Sequence, residues 1–81
     1  MKTFNERFED ILTDHLGVSG KDVKPETGFK RDLGFSLQDF IALIIELEAE
    51  FELDIPDEEL ENMHTIGEVR KYFKEKLQRN V

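Results

Sequence analysis

The chain has 81 residues, no cysteine, and eleven Lys and Arg against nineteen Asp and Glu, for a net charge of −8. That length supports one hydrophobic core rather than two, the lack of Cys excludes disulfides, thiolate metal sites and thiol nucleophiles, and the negative charge argues against nucleic acid, whose phosphates need a Lys/Arg surface. No stretch approaches the ~20 apolar residues of a membrane span, and charges rather than an apolar run follow Met1, so the expectation is one domain over residues 1–81 in a reducing cytoplasm.

The charge is unevenly placed. Between Asp32 and Val69 there is no Lys or Arg, yet that stretch holds twelve of the nineteen carboxylates. Such a surface steers basic partners and loses its pull in salt; an acidic face also serves simply to keep a small protein dispersed.

Thr3 precedes Phe4, Phe8, Ile11, Leu12 and Leu16, a three-and-four spacing that predicts a helix with one apolar stripe, stopped by Gly17. From Gly17 to Phe35, breakers at Gly17, Gly20, Pro25, Gly28 and Gly34 alternate with Val18, Val23, Phe29, Leu33 and Phe35, which reads as a long loop pinned to the core. Loops of that length in a compact domain are uncommon and often functional.

A second helix is predicted from about Ser36 to Phe51, with Leu37, Phe40, Ile41, Ile44, Leu47 and Phe51 on its inner face and Leu43 and Ile45 widening it. Pro56 opens a short helix through about Glu61. Thr65-Ile66-Gly67-Glu68 fits a capping box, and Ile66, Val69, Phe73 and Leu77 carry the last helix, with its basic residues late, where the helix dipole favours them. The fold class is all-α: a four-helix bundle with a long first loop and a short third helix.

Catalytic equipment is absent from the pattern, so the chain reads as a non-enzyme. Of the two histidines, neither His15 nor His64 has a second metal ligand at a useful spacing, and both read as surface or boundary residues. The carboxylates at Asp54, Asp57, Glu58, Glu59 and Glu61 lack calcium-loop spacing, and no phosphate-cradling glycine loop occurs. No metal site is expected.

The run Asp32-Leu33-Gly34-Phe35-Ser36-Leu37-Gln38-Asp39-Phe40, continuing to Leu47-Glu48-Ala49-Glu50-Phe51, together with Ile55-Pro56-Asp57-Glu58 and Thr65-Ile66, resembles the acyl carrier protein family over nearly the whole chain. In that family a Leu-Gly turn leads into Asp-Ser-Leu at the start of the second helix. The resemblance implies a bundle of the acyl-carrier type that carries acyl groups as thioesters on a 4'-phosphopantetheine arm, taken from coenzyme A and attached to a serine at that helix start. A helix N-terminus suits the arm's phosphate, and a thiol supplied by the cofactor removes the need for a Cys.

The motif departs from the family at this point. An ungapped comparison puts Ser36 where the family has Asp and Leu37 where it has Ser; matching Ser36-Leu37 to Ser-Leu needs one residue fewer before the serine and one more in the helix. Both registers stay open, as do two roles for Ser36: attachment point, or plain N-cap of a capping box with Asp39. The resemblance makes Ser36 the cofactor-binding residue and gives a partner-facing surface of Phe35, Leu37, Asp39, Phe40, Glu46 and Glu48. It implies a monomer that meets a phosphopantetheinyl transferase and acyl-transfer or synthase enzymes with basic patches, in a specialised lipid, polyketide or surface-polysaccharide pathway. The alternative is an acidic docking protein of the same fold without the prosthetic group.

Overall fold

The computed structural model describes residues 1–79. Four α-helices follow one another: α1 (Phe4–Leu16), α2 (Leu37–Phe51), α3 (Asp57–Leu60) and α4 (Ile66–Arg79). Among the described residues the one β-type pairing is an isolated bridge between Gly28 and Thr65.

Each long helix starts where a side chain can satisfy an orphan N–H. Thr3 Oγ1 accepts the Glu6 N–H at 3.1 Å while the Glu6 carboxylate accepts the Thr3 N–H at 2.9 Å. Thr65 and Glu68 repeat the arrangement at α4, at 3.2 and 3.0 Å. These reciprocal pairs offset part of the cost of leaving helix ends unbonded. α1 ends at Gly17, whose φ of 71° is a left-handed conformation that a glycine adopts without a Cβ penalty.

The first loop is pinned at both ends. Near α1 it forms a 3₁₀ turn over Gly20–Asp22, which the spacing of breakers did not reveal. Thr13 Oγ1 accepts the Gly20 N–H at 2.7 Å and donates to the Glu9 carbonyl at 2.9 Å. The approach is so close that a Cβ on Gly20 would lie 2.2 Å from that carbonyl oxygen. Further on, the Phe29 N–H donates to the His64 carbonyl (2.9 Å), Ile66 to Thr27 (3.0 Å) and Gly67 to Pro25 (2.8 Å). The loop therefore docks on the entry to α4 and delivers Phe29 to the core, where its ring meets Phe40 edge-on at 5.0 Å.

The core joins Phe8, Ile11 and Leu12 of α1, Phe40, Leu43, Ile44, Leu47 and Phe51 of α2, and Ile66, Val69 and Phe73 of α4, with Phe29, Ile55 and Met63 filling in from the connections. This changes the inner face of α2. Leu43 is fully buried, whereas Leu37, Ile41 and Ile45 are 74, 38 and 58 % exposed and form an outer stripe. With apolar residues almost all round α2, periodicity alone cannot set the phase; packing against α1 and α4 does. Pro56 is the N-cap of α3 rather than its first helical residue, with an extended ψ of 142°.

Two substitutions test this packing. Gly20→Ala should destabilise by about 1–3 kcal/mol, because the added methyl meets backbone and not a movable side chain. Phe73→Ala, at a fully buried ring, should cost about 3–5 kcal/mol. Denaturant unfolding monitored by far-UV circular dichroism measures both.

Candidate functional site

Ser36 is the N-cap of α2, with extended backbone (φ −76°, ψ 170°). Its Oγ accepts the Asp39 N–H at 3.1 Å and the Asp39 carboxylate accepts the Ser36 N–H at 2.9 Å. The Phe40 N–H bonds the Ser36 carbonyl at 3.1 Å. The N–H groups of Leu37 and Gln38 are left at the helix end, facing a region of positive potential that favours an anion. Asp39 is held below the usual carboxylate range by the Ser36 N–H first and the Ser36 hydroxyl second. Ser36 itself is exposed.

Beside this residue opens a groove of about 1140 Å³. Leu37, Ile41 and Ile45 of α2 form one wall and Leu60 and Met63 the other; Phe35 borders its mouth. Lys30 and Arg31 border it from the loop, and Asp54, Asp57 and Glu61 from the α3 side. The arrangement is an exposed hydroxyl at a helix N-terminus, next to an apolar channel rimmed by charge.

The structure redistributes the expected partner-facing residues. Phe35 is half-buried against Phe29, with ring centroids 5.8 Å apart, and Leu37 is fully available. Phe40, offered both to the inner face of α2 and to the partner-facing surface, is only 9 % exposed and belongs to the core, where its ring packs on Phe29. Glu46 contacts His15 of α1, and the Glu48 carboxylate accepts the Ile55 N–H at 2.8 Å. Asp39 serves the capping box. All three expected acids thus have internal partners, and spacing could not show this, since His15 lies in another helix. His64 uses its backbone, donating to Glu68 at 2.9 Å and accepting from Phe29. The residues that spacing overlooked are Ile41 and Ile45 as exposed groove walls and the α3-side carboxylates at the groove rim. Among the described residues no cluster of His, Asp and Glu could ligate a metal ion, and no helix is long and apolar enough to cross a membrane.

A short bundle that presents a serine at the N-terminus of its second helix, beside an apolar groove, has the build of a carrier domain. Residues 6–73 match the family of the phosphopantetheine attachment site. The chain is 41 % identical over 69 residues to the acyl carrier protein of Clostridium acetobutylicum, covering 85 % of this chain and 90 % of that relative. The chain therefore belongs to the acyl carrier protein family, with a phosphopantetheine attachment-site domain. Acyl carrier proteins are carriers and not catalysts, and family membership implies a phosphopantetheinyl transferase and acyl-processing enzymes as partners.

The α2 N-terminus fits the arm: the Leu37 and Gln38 N–H groups suit its phosphate, and Lys30 and Arg31 add positive charge at the groove mouth. When bound, the arm would supply the thiol on which acyl groups ride, and the chain an anion-favouring helix end and an apolar surface.

Ser36→Ala in the unloaded protein should cost about 1 kcal/mol in denaturant unfolding, since it removes the cap. The pH dependence has a defined sign. Asp39's folded pKa is depressed, so its contribution is complete above the unfolded value and is lost as pH falls through the folded one. Asp39→Asn should therefore lower stability near neutrality and flatten the acid side of the profile, the two proteins converging as pH falls below about 4, as thermal melts across pH would read.

Proposed function

We propose that Ser36 takes the phosphopantetheine arm and that the chain delivers acyl thioesters in a specialised lipid, polyketide or surface-polysaccharide pathway. The observation that carries this reading is the exposed Ser36 hydroxyl at the α2 N-terminus beside the apolar groove. The other serine, Ser19, lies in the first loop before the Gly20–Asp22 turn, away from that groove. In this reading the protein acts as a monomer. Leu37, Ile41 and Ile45 give partner enzymes an apolar contact, and Asp54, Asp57 and Glu61 supply the charge that steers the chain onto basic patches, favouring fast and exchangeable encounters.

One observation favours a second reading, an acidic docking protein of the same fold. α2 runs unbroken from Leu37 to Phe51 without the bulge that an extra residue in the helix would need, so the ungapped register, with Leu37 at the family's serine position, fits the backbone directly.

Intact mass after incubation with coenzyme A and a promiscuous phosphopantetheinyl transferase separates the two. A gain of one phosphopantetheinyl group that is lost in Ser36→Ala supports the carrier. No gain with several transferases would sink it.

A further inference from the structure

The stretch from Ile55 to His64 is built like a lid on the apolar groove. Its two ends are clamped. Ile55 and Met63 are buried, the Ile55 N–H donates to the Glu48 carboxylate at 2.8 Å, and the His64 carbonyl accepts the Phe29 N–H at 2.9 Å. Between the clamps lies α3, four residues without a buried side chain, whose N-cap Pro56 makes no side-chain hydrogen bond. Its flanking backbone bonds stay within the stretch, from the Glu59 N–H to Pro56 at 3.0 Å and from the Met63 N–H to Leu60 at 3.1 Å. A helix of one turn has little stability of its own, so contacts from outside must hold it.

Among the described residues one side-chain hydrogen bond reaches α3 from another helix: the Tyr72 hydroxyl donates to the Glu59 carboxylate. We infer that this pair is the catch that keeps α3 closed along the groove, with Tyr72 of α4 as the positioning residue for the wall that Leu60 and Met63 form. The ring of Tyr72 stands edge-on to Phe73 at 6.2 Å, and Phe73 is fully buried, so the core itself aims the hydroxyl. Lys76 Nζ, 5.8 Å from the Tyr72 ring centroid, steadies the same ring. Next to Glu59, half-buried Leu60 packs on the core and lines the groove.

With the catch made, Leu60 and Met63 stand as the groove wall. With it broken, Leu60 alone resists an outward swing of α3 about its clamped ends, and Met63 beneath is uncovered. Asp57 and Glu61 travel with the lid. The bearing of the catch on docking rests on the reading of those carboxylates as steering charge, whereas the catch itself belongs to the unloaded chain and needs no arm on Ser36.

The two methionines supply the probe. Met63 is 6 % exposed and Met1 is fully exposed, and peroxide converts an accessible thioether to its sulfoxide. The unloaded full chain is oxidised in dilute hydrogen peroxide and followed by peptide mass spectrometry, with Met1 as internal reference. Tyr72→Phe, which keeps the ring, and Glu59→Ala should each speed Met63 oxidation relative to Met1 on the order of tenfold, the low end for a lost hydrogen bond to a charged acceptor. The double variant should be no faster than either single one, and Glu59→Gln, which still offers an acceptor, should stay near the unaltered chain. Thr3→Ala removes the α1 cap without touching α3 and should leave Met63 unchanged. An unchanged Met63 rate in Tyr72→Phe, or an equal rise in Thr3→Ala, would overturn the inference; either result leaves the loading of Ser36 to be decided by intact mass.

Discussion

The reciprocal hydrogen bonds between Ser36 and Asp39 fix where α2 begins, packing against α1 and α4 sets its phase, and most of the molecule follows from the two together. Once the helix begins at Leu37, Phe40, Leu43, Ile44, Leu47 and Phe51 turn inward. Leu37, Ile41 and Ile45, at intervals of four, are left outside. Shifting the register of α2 in the bundle by one residue would rotate the helix by about 100° and expose part of the core. The cap itself contributes little energy. Its importance lies in placing the Ser36 hydroxyl and the first free N–H groups of the helix at one defined point.

The long first loop is the second element on which the site depends. Its backbone bonds to the residues leading into α4, and Phe29 serves as the anchor between that junction and α2. Asp32 accepts the Gly28 N–H at 2.7 Å while Arg31 bonds the same carboxylate. This local knot brings Lys30 and Arg31 to the groove mouth. A region rich in glycine is thereby held in one place by hydrogen bonds rather than by secondary structure, and it brings Lys30 and Arg31 to the groove.

Capping residues made much of this fold legible from sequence. Thr3, Gly17, Ser36 and the Thr65–Glu68 pair mark helix ends through chemistry that acts within a few residues, and the ends fall there. What spacing could not resolve depends on partners far along the chain. Glu46 meets His15, Arg7 bonds the Glu50 carboxylate at 2.7 Å, and Gly20 presses on Glu9. For that reason the acids of α2 looked free in sequence and are internally engaged in the fold, while the groove rim carries charge from the α3 side. Spacing offered Phe40 both to the inner face and to the partner surface, and Phe29, from a loop, is what claims it for the core.

The family fixes the type of chemistry, and the geometry narrows the question to one oxygen: whether the Ser36 hydroxyl can both cap α2 and bear an arm. Fragmentation mass spectrometry of the chain isolated from the cells that make it addresses this most directly. The account predicts a phosphopantetheinyl group, with or without an acyl load, on the peptide that contains Ser36; a wholly unmodified chain, or an arm on Ser19, would contradict it.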